Sequence, residues 1–332
     1  MKIRRLPAPQ LRRVGGSRRA APAAARTEPS TQSLTWEKLT WVDIERPTEA
    51  ETRDLAEHYP FHPLDLDDCL SKIQLPKIDE YENYLFIVLH FPVFNPEARI
   101  TTPSQVSIFV GEDYLITLHQ GDLRPLVTLF KSCQTNEKVR EESMGRSSGY
   151  LLYLILDRLV NYCFPILNKI GENIESVEER IFSELPRGTV RDVAVLRRDL
   201  ISFRRIVRPQ TEVVEFLERK EWPILKEDPD VYYGDIADHL RKIRDTLDDY
   251  KDVVEGFSDT NNALTSFRIN EVIRVLTIIS TIILPLTLVA SFLGMNIYPM
   301  PVESPGAFAG ITVAMLIIIV GMLAFFRSRR WI

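Results

Sequence analysis

A chain of 332 residues with 45% apolar content has room for one sizeable soluble domain and a further hydrophobic element. Its cysteines, Cys69, Cys133 and Cys163, show no CxxC spacing, which excludes a zinc-ribbon or disulfide framework and fits small buried hydrophobes in a reducing compartment. The net charge of -5 conceals a split: residues 1–32 hold eight Lys/Arg against Glu28, leaving 33 Lys/Arg against 45 Asp/Glu in the rest, a body of charge -12 that suits a cationic partner better than an anion or nucleic acid.

The tail 1–32 is rich in Arg, Ala and Pro and has too little apolar content to fold alone. It reads first as a disordered segment touching anionic lipid, second as an organelle transit peptide, and third as a nucleic-acid arm that lacks interleaved aromatics. No secretory signal is legible, because the start has no continuous apolar run.

Residues 33–148 mix strand and helix signals. Thr35 to Asp43 alternates around Trp36 and Trp41, and Tyr84 to Leu89 is a continuous apolar run. Gln105 to Val110 and Tyr114 to His119 flank Gly111-Glu112-Asp113 as the arms of a hairpin would. Pro47-Thr48-Glu49-Ala50 ahead of Leu55 opens a helix. The expectation is an α/β cytoplasmic domain around a mostly buried sheet. His62 beside Asp65, Asp67 and Asp68 is better read as a His-Pro turn before a helix with an acidic start than as a metal site, since carboxylates favour the positive end of the helix dipole.

Residues 149–234 turn helical. Tyr150 to Phe182 and Val190 to Leu217, the second broken at Pro209, read as a pair of long antiparallel helices, and Glu218 to Asp230 as a charged, proline-containing turn. Glu172, Glu175, Glu178 and Glu179 either concentrate cations or form an ordinary solvated face.

From Asp235, taken as an N-cap, no proline intervenes before Pro285, so residues 235–293 can form one helix running from a stalk into a membrane span. One stripe on it is apolar: Leu240, Ile243, Leu247, Tyr250, Val254 and Phe257. The opposite stripe runs Asp245, Asp249, Asp252, Gly256, Asp259, Ala263, Ser266, Asn270, Ile273, Thr277, Ser280, Leu284, Thr287 and Ser291, acidic first and then alternately polar and apolar. Polar groups at membrane depth face water or protein, so this second stripe reads as a pore wall; the competing reading is hydroxyls that satisfy backbone carbonyls or pack helices.

Val275 to Leu293 is 19 residues without a charge, about 28 Å of helix, and residues 307–326 add a second span. Arg268, Arg274, Arg327, Arg329 and Arg330 flank the pair, residues 327–332 form a basic end, and the loop 294–306 carries only Glu303. The positive-inside rule then puts both chain ends on the cytoplasmic side of a bacterial-type inner or plasma membrane, or on the equivalent side of an organelle inner membrane. Two spans enclose no aqueous path, so the chain must self-associate.

The run Asn270-Glu271-Val272-Ile273-Arg274-Val275-Leu276-Thr277, then Leu284-Pro285-Leu286-Thr287, then Gly294-Met295-Asn296 with Met300-Pro301 and a basic-Trp terminus resembles the CorA family of magnesium channels. Phe61-His62-Pro63-Leu64-Asp65-Leu66-Asp67-Asp68, and Pro76-Lys77-Ile78-Asp79 with Tyr84-Leu85-Phe86, resemble that family's N-terminal domain. The resemblance implies a funnel-shaped homo-oligomer of five copies in lipid, carrying Mg²⁺ and in some members Co²⁺, with no nucleic-acid partner. It also implies cytoplasmic Mg²⁺ bound between subunits as feedback. Asp259 falls on the family's stalk carboxylate by ungapped register from Gly294, and Asn95 falls where an acidic partner is usual; Asn95 is neutral, which leaves Glu97 as a substitute. Leu293 replaces an aromatic that commonly precedes the glycine.

The chemistry suits the ion. Mg²⁺ gives up water reluctantly, so a ring of Asn296 carbonyls can read its hydration shell without stripping it, Gly294 permitting the reversal that aims them and Met295 completing the selectivity tripeptide. Glu303 reads either as a cation-attracting charge outside or as an ordinary solubilising loop carboxylate. Ile273 and Leu284, reinforced by Leu276, can supply apolar rings that block conduction by dewetting; the competing reading for each is a lipid- or helix-facing side chain. No phosphate loop is present, so no nucleotide is expected, and no HExxH or nucleophile elbow suggests an enzyme. The alternatives are a zinc transporter of the related branch, which typically has further glycines where this chain has Ile297-Tyr298-Pro299-Met300, and a membrane-anchored scaffold or enzyme.

Overall fold

The computed structural model describes residues 31–71, 74–97, 100–183, 186–295 and 305–331. In chain order it forms β1 (Thr31–Trp36), β2 (Leu39–Glu45), α1 (Glu49–His58), α2 (Pro63–Leu70), β3 (Lys77–Glu80), β4 (Leu85–Asn95), β5 (Ile100–Val110) and β6 (Tyr114–His119). These are followed by α3 (Arg124–Thr135), α4 (Glu137–Met144), α5 (Ser148–Asn161), α6 (Cys163–Ser183), α7 (Pro186–Arg219), α8 (Pro229–Leu293) and α9 (Pro305–Ser328). Two compact units result: one takes the chain to Val93, Thr102–Phe164 and Arg205–Ile243, the other Phe94–Thr101, Pro165–Arg204 and Arg244–Ile332.

In the first unit the strands lie in the order β1-β2-β6-β5-β4-β3, with β2 parallel to β6 and the β1/β2, β5/β6 and β3/β4 pairs antiparallel. The Thr35–Asp43 alternation is not one strand: it folds back at Glu37, whose φ of 50 supplies the reversal between β1 and β2. Gly111 does turn the β5/β6 hairpin, its N–H donating to Tyr114 O at 2.9 Å. Val42, Ile44, Phe86, Val88, Phe109 and Ile116 form one face of the core, against which Phe61 and Leu66 pack; Phe61 stacks on Phe109 at 4.0 Å between ring centroids.

Local signals explain the helix starts. Thr48 and Glu51 close a capping box on α1. His62 caps α2, its Nδ1 accepting from Leu64 N, and Asp65 is buried under the hydroxyls of Tyr81 and Tyr84, so this acidic run serves the fold. Residues 150–182 stay helical almost throughout: α5 passes into α6 at Tyr162, whose backbone keeps αR angles and whose N–H donates to Arg158 O at 3.1 Å. Pro209 does not break α7: Gln210 Nε2 and Thr211 Oγ1 donate to the carbonyls of Ile206 and Val207 beside it, and the helix continues to Arg219. Asp235 is not the cap of α8 either. Asp228 accepts from the N–H groups of Asp230 and Val231, with Pro229 at the first helical position, so the helix begins six residues earlier.

In the second unit α6 and the start of α7 pack through Ile170, Ile174, Val177, Val193, Leu196 and Leu200, with Arg180 paired to Asp192 at 2.6 Å. The membrane end of α8 runs through Pro285 without stopping. By length and composition α8, α9 and the Ser148–Ile181 run are apolar enough to cross a membrane, but half of the last is buried inside the protein and belongs to its core.

Candidate ion path and divalent site

Along α8 the apolar stripe is inside: Leu240, Ile243, Leu247, Val254 and Phe257 are buried, and Tyr250 is half-buried. Every position of the opposite stripe, from Asp245 through Asp259, Asn270, Ile273, Thr277, Ser280, Leu284 and Thr287 to Ser291, is exposed. Helical spacing explains the separation, since steps of three and four keep each set on its own side.

At the membrane end, Ile278 is buried, and Ile282, Pro285, Leu286, Val289 and Leu293 are half-buried. On α9 the covered positions are Ile311, Met315, Ile319, Met322 and Phe326. The covered positions recur at helical spacing, one stripe on each helix. At ~100° per residue the Ile278 stripe lies roughly opposite Ser280, Leu284, Thr287 and Ser291. The polar stripe therefore remains uncovered in the protomer, with Ile273 54% and Leu284 70% exposed. Leu276, 62% exposed, lies on its flank.

The hydroxyls on this face differ. Thr277 Oγ1 donates to Ile273 O at 2.7 Å and Thr287 Oγ1 to Ile283 O at 2.9 Å. Ser280 and Ser291 have no hydrogen-bond partner among the described residues. The competing reading, hydroxyls that satisfy backbone carbonyls, describes the two threonines, whereas neither serine makes such a bond among the described residues.

Gly294 ends α8, its N–H donating to Ala290 O and Ser291 O, and Met295 N donates to Phe292 O. Gly294 does not adopt left-handed backbone, and a Cβ there would meet Ala290 O at 3.4 Å, an ordinary contact. Asn296 and Glu303 lie outside the described residues.

Asp259 is exposed on the stalk and joins no three-ligand group among the described residues. Asn95 is exposed at the end of β4, where its Oδ1 accepts from Glu97 N at 3.0 Å. The structure also gathers Asp157 of α5 with Asp235 and His239 of α8, their ligand atoms all within 4.8 Å of one another. Asp235 and His239 share one face because they are four apart. Burial and the neighbouring Asp235 charge push the Asp157 carboxyl above the usual carboxylate range, while Asn161 Nδ2 donates to it at 2.7 Å. His239 Nδ1 is buried without a hydrogen-bond partner, beside the edge-on Phe164 ring at 5.7 Å. Two carboxylates and an imidazole of this kind can hold a divalent cation while leaving positions for water or a further ligand. Sequence reading missed this group: the Asp-x-x-x-His spacing within a helix was its one local signal.

The description of a CorA-like Mg²⁺ transporter protein matches residues 36–330. The chain is 31% identical over 301 residues to the cobalt/magnesium transport protein CorA of Thermotoga maritima, covering 88% of this chain and 83% of that one. It is 30% identical over 292 residues to the putative metal ion transporter YfjQ of Bacillus subtilis, covering 88% and 89%. The complete structure of the CorA magnesium transporter from Methanocaldococcus jannaschii superposes with a TM-score of 0.79 at 24% identity, over 90% of this chain and 94% of that one.

Proposed function

We propose that this chain, which belongs to the CorA-like Mg²⁺ transporter family, forms a pentameric channel that carries Mg²⁺ into the cytoplasm. The observation that carries the reading is the uninterrupted exposed stripe of α8. It joins an acidic stalk to polar and apolar positions at membrane depth, on the side that α9 leaves uncovered. Five such helices around an axis would line a path with rings of Asn270, Thr277, Ser280, Thr287 and Ser291. A hydrated cation turns its water protons outward, so the wall must offer acceptors. Thr277 and Thr287, with their protons given to the backbone, present lone pairs only.

At the outer mouth Gly294, Met295 and Asn296 select the hydrated ion and Glu303 raises its local concentration. Lipid surrounds α9, and both termini are cytoplasmic. Inside-negative potential drives entry: a double charge gains about 4.6 kcal/mol per 100 mV. That drive would overfill the cell without a gate. Ile273 and Leu284, flanked by Leu276, form it by dewetting. Feedback comes from cytoplasmic Mg²⁺ at Asp157, Asp235 and His239, with Asp259 and Asn95 as the alternative subunit-bridging pair. Co²⁺, which the Thermotoga relative's name includes, is a second cargo.

The test is uptake by the purified full chain in liposomes under an inside-negative potential. Mg²⁺ entry competed weakly by Zn²⁺ supports the reading, and preferential Zn²⁺ entry moves the chain to the zinc branch. A protein that passes no ion is an anchor rather than a channel.

A further inference from the structure

Ser280 stands apart from the threonines around it. Thr277 and Thr287 fold their hydroxyls back onto the carbonyls of Ile273 and Ile283, an arrangement as comfortable in lipid as in water. Ser280 is exposed on the same face with no hydrogen-bond partner among the described residues. A hydroxyl left unpaired in an apolar medium is destabilising, so its stable setting is a wet surface.

Its level is equally particular. Ser280 is seven residues beyond Ile273 and four before Leu284, roughly 10 Å and 6 Å along the axis between two exposed apolar positions. Thr277 also lies in that interval, but with its proton given to Ile273 O it offers water an acceptor alone, whereas the Ser280 hydroxyl can both accept and donate. Dewetting needs a continuous apolar length, and one uncommitted hydroxyl interrupts it.

We propose that Ser280 is the wetting step of the constriction between Ile273 and Leu284, holding water there and so setting how readily the closed path refills. The inference rests on the reading of this face as the ion path. In it Ser280 Oγ accepts from the water shell of the passing ion while its O–H donates to the next water in the column.

The experiment is Mg²⁺ influx into liposomes holding the full chain. Ser280→Ala should lower the initial rate at least threefold. Ser280→Thr should lower it too, although a hydroxyl remains, because that hydroxyl can fold back onto the Leu276 carbonyl. In an Ile273→Asn background, where one apolar ring is already polar, Ser280→Ala should change the rate by less than 1.5-fold. Wild-type flux in either Ser280→Ala or Ser280→Thr overturns the proposal. Failure of the underlying reading is visible separately. Ser280→Cys and Leu284→Cys are treated with a water-soluble cationic thiosulfonate; Cys69, Cys133 and Cys163 are buried and give little background. Block at both positions keeps this face in the ion path, whereas absence of block at both removes it from the path, whatever Ser280→Ala does.

Discussion

Asp157 of α5 and His239 of α8 bring a carboxylate oxygen and an imidazole nitrogen within 4.8 Å, with Asp235 one turn before His239 supplying a third ligand. A divalent cation there ties α5 to the first turns of α8. Mg²⁺ or Co²⁺ at a hundredfold excess over its dissociation constant should then stabilise the folded chain by about 2.7 kcal/mol. Thermal melts with and without the ion check this. Asp157→Asn and Asp235→Asn should lose most of the shift, and a shift retained in both contradicts the site.

Inhibition curves separate this group from the stalk carboxylate. With internal Mg²⁺ varied, Asp235→Ala should need at least fivefold more ion for half-inhibition of uptake. If Asp259→Ala shifts the curve and Asp235→Ala does not, feedback belongs to Asp259 instead.

The two stripes of α8 were legible because 3.6-residue periodicity persists over many turns, from Leu240 to Phe257 on one side and Asp245 to Ser291 on the other. Shorter signals failed. Neither α3 nor α4 was expected: α3 does repeat Leu126, Leu129, Phe130 and Cys133 at helical spacing, but Leu123 caps it with no side-chain bond, and in α4 only Val139 and Met144 are apolar, which leaves little periodicity to read there. The Asp157 group was invisible because its members lie on separate helices far apart in sequence. Asp235 was assigned to a cap that Asp228 provides.

Asp199 tests the second unit. Its carboxylate accepts from the amide of Thr101, a fully buried residue, and burial pushes its pKa above the usual carboxylate range. The folded state therefore holds the proton more tightly than the unfolded chain. The resulting stability is full below the ordinary carboxylate pKa and is lost as pH rises through the folded value. Asp199→Asn should flatten that part of the pH–stability profile. Asp199→Ala should cost about 1–3 kcal/mol by orphaning the Thr101 N–H, as denaturant melts would record.

Gly149 tests the first unit. A Cβ there would lie 2.2 Å from the backbone oxygen of Leu225 and 2.0 Å from Glu227 Oε2, so backbone must move. Gly149→Ala should destabilise by about 1–3 kcal/mol, again read from denaturant melts. A neutral result would mean that the Leu225 turn yields easily.

Mg²⁺ is expected to pass through this protein under selection by Gly294-Met295-Asn296. The most direct test is initial Mg²⁺ influx into liposomes at inside-negative potential, comparing the native chain with Asn296→Ala at equal protein and oligomer content. Influx should be present in the native protein and fall tenfold or more in Asn296→Ala. Equal influx in the two, or none in the native protein, would contradict this expectation.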